Sequence, residues 1–163
     1  MSEQPAAGAD LLDAVLSDAR RRLAGSSRER LGDWAHTRRL LGFGRAPRIV
    51  PVGEAWHVGV LLIADAEVYA TGEILRARAE AVRGYTAEAQ RARSERAAAA
   101  ARGGFADGEV LHLGATQIDL DAVRRGERSG PLVLVDGIPL VTWTAAGARR
   151  PLADYLDDQL SLR

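Results

Sequence analysis

The stretch Ala55-Trp56-His57-Val58-Gly59-Val60-Leu61-Leu62-Ile63, followed after Ala64-Asp65-Ala66 by Glu67-Val68-Tyr69-Ala70-Thr71-Gly72-Glu73-Ile74-Leu75, decides how this chain folds. Both segments are rich in β-branched and aromatic residues, and together they read as the two strands of a hairpin. A three-residue loop at 64–66 sets Ile63 opposite Glu67, Leu61 opposite Tyr69, Gly59 opposite Thr71 and His57 opposite Glu73. The other face then holds Trp56, Val58, Val60, Leu62, Val68, Ala70, Gly72 and Ile74, all apolar or glycine. A one-residue shift sets Glu73 against Val58 and Tyr69 against Leu62 and mixes the faces. Segregation of faces fixes register, so the three-residue loop is the expected one.

Upstream, Asp10 caps an expected helix to about Leu23, with Leu11, Leu12, Val15, Leu16, Ala19 and Leu23 on one face. Gly25-Ser26-Ser27 breaks it. Ser27 then caps a second expected helix with Leu31, Trp34, Ala35, Arg38 and Leu41 as its stripe, ended by Gly42-Phe43-Gly44. The pair forms an N-terminal helical hairpin, or arm, over 1–45. Arg48 to Val52 is a short extended lead-in between Pro47 and Pro51.

Downstream, Arg76 to Gly84 fits either a strand extension or a helix start. Thr86 is an N-cap for a helix to about Arg102, with Tyr85 as staple and Gly103-Gly104 as stop. Glu109 to Leu113 and Thr116 to Ile118 read as strands. Asp119 caps a brief helix closed by Gly126. Leu132 to Val135 and Ile138 to Trp143 flank Asp136-Gly137, a type I′ hairpin signal, and both faces of that hairpin are apolar, so it should be central or covered twice. Pro151 opens a last helix with Leu152, Tyr155, Leu156 and Leu160 inward. Strands joined as hairpins with helices between them predict an α+β fold. Its mainly antiparallel sheet has two hairpins and a central strand, and residues 46–163 form one domain beside the arm.

Composition narrows the chemistry. The 163 residues carry no cysteine, and all 22 basic residues are arginine. Disulfides, thiolate nucleophiles and cysteine zinc sites are excluded. So are Schiff bases, Walker-type phosphate loops and Ser-Lys nucleophiles, because arginine stays protonated at any working pH. A formal net charge of zero gives no global pull toward nucleic acid or acidic membranes. No apolar run reaches the ~18 residues of a membrane span, and the N-terminus lacks the layout of a signal peptide, so a cytoplasmic protein is expected.

His57 and Glu73 are the candidates for catalysis: a carboxylate opposite an imidazole favours its charged form and orients it as general acid or base. Gly59 leaves room for a substrate, and Tyr69 and Thr71 add hydroxyls as ligand contacts. The plainer alternative is a polar cross-strand pair worth about 0.2–1 kcal/mol. His112, between Leu111 and Leu113, is a third candidate ligand contact, whereas His36 lies in a polar stretch. No HxH or HxxxH spacing exists, so neither a metal nor a cofactor is expected. Arginine clusters in two places: residues 19–48 carry nine against Glu29 and Asp33, and 76–102 carry seven against three glutamates. Either could neutralise phosphates, although helix-turn-helix and aromatic RNA-binding signatures are missing.

Trp56-His57-Val58-Gly59-Val60-Leu61-Leu62, Tyr69-Ala70-Thr71-Gly72-Glu73, Arg83-Gly84-Tyr85-Thr86-Ala87-Glu88 and Gly103-Gly104-Phe105 together resemble a group of small proteins from GC-rich bacteria, some labelled glutaminase. The resemblance brings no set of functional residues. The Ser-x-x-Lys nucleophile of glutaminases with the serine β-lactamase-like fold needs a lysine, which this chain lacks. The expected function is a non-catalytic binding or assembly module that self-associates through the arm or a sheet edge, with a small molecule as a further partner. The alternatives are a small hydrolase-like enzyme using His57 with Glu73, and nucleic-acid binding through the arginine-rich segments.

Overall fold

A computed structural model describes residues 3–36, 44, 46–80 and 87–163. In chain order the elements are α1 (Glu3–Leu23), β1 (Glu29–Trp34), β2 (Ile49–Val58), β3 (Leu61–Ile63), β4 (Val68–Ala70), β5 (Glu73–Arg76), α2 (Glu88–Arg102), β6 (Val110–Leu113), β7 (Thr116–Gln117), α3 (Leu120–Arg124), β8 (Leu132–Val135), β9 (Ile138–Thr142), β10 (Arg149–Pro151) and α4 (Leu152–Ser161). The strand pairs whose register is described are antiparallel except β1 with β6, and the fold is α+β. The chain divides into two compact units, each drawn from separated segments, so a boundary at residue 45 does not coincide with either.

The first unit comprises residues up to Arg28, Ala55–Thr71 and Thr116–Arg163. The end of β2 pairs with β3 (Trp56↔Ile63, His57↔Leu62, Val58↔Leu61), β3 with β4 (Leu62↔Tyr69), and β4 with β7. A separate three-stranded sheet runs β10-β9-β8. Leu12, Leu16 and Leu23 of α1 and Leu152, Tyr155 and Leu156 of α4 share one core with Trp56, Leu61, Ile63, Leu132 and Val141. The α1 stripe is therefore a core face and not a detached arm.

The expected nine-residue hairpin is broken twice. Gly59-Val60 turns the chain between β2 and β3, with Gly59 at φ +59°, a left-handed conformation that glycine adopts without strain. The Tyr155 hydroxyl of α4 accepts from the Val60 N–H at 2.9 Å, and a Cβ at Gly59 would stand 1.9 Å from that oxygen. The turn thus needs glycine for its backbone and for the tyrosine above it. Tyr155→Phe should cost about 1–3 kcal/mol in a denaturant titration, because the half-buried Val60 N–H loses its acceptor. Unchanged stability would mean water replaces the hydroxyl without cost.

The β3–β4 register is the shifted one, Leu62 opposite Tyr69. Leu61, Leu62 and Ile63 are all buried, so both faces of β3 are covered and mixing apolar faces carries no penalty. At the second hairpin the expectation holds: Val135 pairs with Ile138 around Asp136 (φ +50°) and Gly137 (φ +76°). Pro139 sits in β9 one residue past its last pairing with β10, where its missing N–H breaks no ladder bond. One face of this hairpin, with Leu132, Leu134, Pro139 and Val141, is buried. On the other face Val135 and Ile138 are 38% and 47% exposed, so it is not covered twice within the unit.

The second unit comprises Glu29–Glu54 and Gly72–Ala115. Its strands run β5-β6-β1-β2. Ile49, Leu75, Ala99, Ala100, Phe105 and Leu111 form its core against α2. The second expected helix is strand β1, parallel to β6 with Leu31 opposite His112. Gly32, at the centre of that expected helix, lies where a Cβ would meet Leu111 at 2.7 Å and Ile49 at 2.9 Å. Arg38, Leu41, Gly42 and Phe43 lie outside the described residues, as do the Tyr85 staple and the Thr86 cap. Helix α1 begins at Glu3, earlier than Asp10, and the lead-in at 48–52 is continuous with the rest of β2. The short helix matches: Asp119 caps α3 by accepting from the Ala122 N–H, and Gly126 follows it at φ +85°.

Candidate functional site

The five candidate residues divide between the two units. In the first, His57 stands opposite Leu62 and not opposite Glu73; its Nε2 lies 2.9 Å from the Gly59 carbonyl oxygen, and its own carbonyl accepts from Arg163. Leu62 stands between His57 and Tyr69 in one cross-strand row. Burial, and then the nearby Glu67 carboxylate, push the Tyr69 hydroxyl above its ordinary pKa, which leaves it a neutral donor. The Thr71 N–H donates to the Val60 carbonyl at 3.2 Å.

In the second unit, Glu73 opens β5 opposite Leu113. Its carboxylate accepts from Arg96 Nη2 at 2.9 Å and lies 3.9 Å from Arg93 Nη1. The register error behind the expected His57–Glu73 pair has a simple source: Thr71-Gly72 interrupts the second segment. A Cβ at Gly72 would lie 2.1 Å from the Leu113 carbonyl oxygen, so the chain passes that backbone too closely for any side chain. His112 is fully buried, and its Nε2 bonds to the Glu29 carboxylate across the β1–β6 pair. Glu29 was missed because Ser27–Leu41 read as a helix; recognising β1 places Glu29 beside His112.

Charge distribution separates the two arginine clusters. Around 19–30, most guanidiniums meet carboxylates or backbone carbonyls. Arg21 bonds to Asp18 at 2.7 Å, Arg22 pairs with Asp157, and Arg30 bonds to Glu109 at 3.2 Å. Arg28 bonds to Asp65 at 2.6 Å and stacks 4.0 Å from the centre of the Trp56 ring. That hydrogen bond, with the Arg28 charge, holds the Asp65 carboxyl below its ordinary pKa. Arg20 instead donates to the Ala64 and Ala66 carbonyls and ties down the β3–β4 loop.

The 76–102 cluster is different. Arg76, Arg78 and Arg93 line a cleft of about 400 Å³ beside β5 and α2. Gln90 and Ser94 of α2 share it, and Leu75 and Ala97 form its apolar wall. Gln90, Arg93, Ser94 and Ala97 follow the spacing of one helical face. Arg76 donates to the Gly108 carbonyl at 2.8 Å and Arg93 to the Ile74 carbonyl at 3.0 Å. These bonds position the guanidiniums without neutralising them. Among the described residues, Arg78 makes no side-chain hydrogen bond or ion pair, and no carboxylate lines the cleft. Glu73, which pairs with Arg93 at 3.9 Å, is held mainly by Arg96 at 2.9 Å.

The cleft was legible only as a positive segment, since counting charges cannot show which of them are neutralised. Among the described residues, no helix is long and apolar enough to cross a membrane. In comparisons with known proteins, no family model, no curated protein and no solved structure matches the chain.

Proposed function

We propose that this protein is a non-catalytic binding module whose ligand is anionic and sits in the cleft lined by Arg76, Arg78 and Arg93. The observation that carries this reading is the contrast between the clusters. Where 19–30 places carboxylates on most of its guanidiniums, the cleft holds Arg76 and Arg93 with backbone carbonyls, leaves Arg78 without a side-chain bond among the described residues, and has no lining acid. Confining three positive charges with Glu73 as a partner of Arg93 alone disfavours the folded state through self-repulsion, and an anion removes that disadvantage while gaining charge-assisted hydrogen bonds. Arginine suits the task, because its planar fork grips an oxyanion in two places and cannot lose its charge.

The catalytic alternative draws less support. Each of its groups already has a structural partner: His57 bonds to the Gly59 carbonyl, Glu73 to Arg96, and His112 to Glu29.

The test is thermal unfolding at low ionic strength in rising inorganic phosphate, with sodium chloride matched for ionic strength. Binding to the native state alone raises stability by RT ln(1 + [L]/Kd), about 2.7 kcal/mol at one hundred times Kd. The wild type should show a phosphate-specific rise in Tm, and Arg78→Ala combined with Arg93→Ala should lose most of it. Equal Tm in phosphate and chloride would remove the reading.

A further inference from the structure

Resting on the reading of the cleft as an anion site, we infer that its ligand is a small phosphomonoester, a phosphate group joined to one compact organic group, and not a free oxyanion or a nucleic-acid strand. Three observations combine. The cleft, at about 400 Å³, lies in the ~300–1,000 Å³ range of small-molecule sites and exceeds what a lone oxyanion fills. Its charge comes from three arginines, and the rest of its lining is uncharged. Three guanidiniums match a phosphomonoester, which carries ~1.5–2 negative charges at neutral pH, better than a single carboxylate.

The remaining lining then has a role. Leu75 and Ala97 offer an apolar wall, and the Gln90 amide on the adjoining helix turn can both donate to and accept from a hydroxyl or a ring nitrogen. A free phosphate would leave these groups unused.

Nucleic acid fits less well, because a strand requires a track of available charge along the surface. Beyond the cleft, Arg96 is held by Glu73, and Arg102 donates to the Pro47 carbonyl at 2.9 Å. Among the described residues of α2, the available positive charge is therefore focal.

Glu73 adds a regulatory element. Its carboxylate lies 3.9 Å from Arg93 and is 32% exposed, so it competes with the ligand for that guanidinium. Removing its charge should tighten binding.

The experiment is calorimetric titration of the full chain at low ionic strength with inorganic phosphate, ribose 5-phosphate, adenosine 5′-monophosphate, adenosine and a twenty-nucleotide single strand. The expected result is that at least one of the two phosphomonoesters binds ten-fold or more tightly than inorganic phosphate, and that adenosine does not bind. Arg78→Ala should weaken the phosphomonoester about ten-fold, and Glu73→Gln should strengthen it about three-fold. Arg78 makes no side-chain bond among the described residues, so its variant should fold; circular dichroism and Tm in chloride check that. If both phosphomonoesters bind no better than phosphate, this inference falls while the anion reading stands. If the oligonucleotide binds more tightly than either and loses its affinity with Arg78→Ala, the ligand is a polymer and the inference is wrong. If no anion binds, both fail together.

Discussion

Gly103→Ala should destabilise the protein by about 3 kcal/mol or more, although the same exchange at a helix end with a right-handed backbone is neutral or favourable. Gly103 follows the last residue of α2 with φ −84° and ψ −5°, a conformation alanine adopts readily. On backbone grounds alone the substitution should gain ~0.4–1 kcal/mol by restricting the unfolded chain. The sign reverses because of what lies opposite. A Cβ there would stand 1.6 Å from the carbonyl oxygen of Ile49 and 2.4 Å from its carbon. Both are backbone atoms, so no rotamer change relieves the contact, and Ile49 is fully buried in the core that α2 covers. Overpacking of this kind costs about 1–3 kcal/mol where side chains can move, and more where a strand and a helix must part. Gly25→Ala is the control: nothing lies within 4 Å of its Cβ, and it should stay within ~0.5 kcal/mol of wild type. Urea titrations of the two variants decide the matter. Matching midpoints would show that α2 and β2 do not approach as described.

The second large effect belongs to α1. Leu16→Ala should cost about 2–5 kcal/mol, since the side chain is 1% exposed within the core shared with α4 and the β9 strand. Leu11→Ala, at 43% exposure on the same helix, should cost well under half as much. An independent arm would give two small and similar losses, visible as an early, separate transition. A single cooperative transition shifted strongly by Leu16→Ala and weakly by Leu11→Ala is the expected outcome. A loss below ~1 kcal/mol at Leu16 would return α1 to the periphery.

Local chemistry explains which elements could be read in the sequence. Asp136-Gly137 specified its turn because only residues that accept positive φ suit a two-residue hairpin. Asp119 declared α3, and Pro151 declared α4, for equally local reasons. The first hairpin failed because its register was judged by separating polar from apolar faces. That criterion presupposes one wet face, whereas Leu61, Leu62 and Ile63 are buried on both sides. Gly59 and Gly72 carried the missing information, one as a turn and the other as a close backbone approach. Strand β1 was hidden because Leu31, Trp34 and Ala35 also fit helical spacing over so short a stretch. The candidate site shifted for another reason. Opposite charges three or four residues away, or far along the chain, pair with Arg21, Arg22, Arg28 and Arg30, whereas Arg76 and Arg78 of the other cluster meet no carboxylate among the described residues. Only tertiary structure shows that distribution.

The composition of the first unit from three separated segments sets an order of events during synthesis. Helix α1 is made well before the partners of its apolar stripe, because β8, β9 and α4 all come late in the chain. At ~5–20 residues per second, Leu12, Leu16 and Leu23 meet Trp56, Leu61 and Ile63 early but wait on the order of ten seconds for the rest of their core. During that interval the nascent chain presents an amphipathic helix of the kind that general chaperones hold. Slowing translation downstream of residue 116 should therefore lower soluble yield more than slowing it within α1.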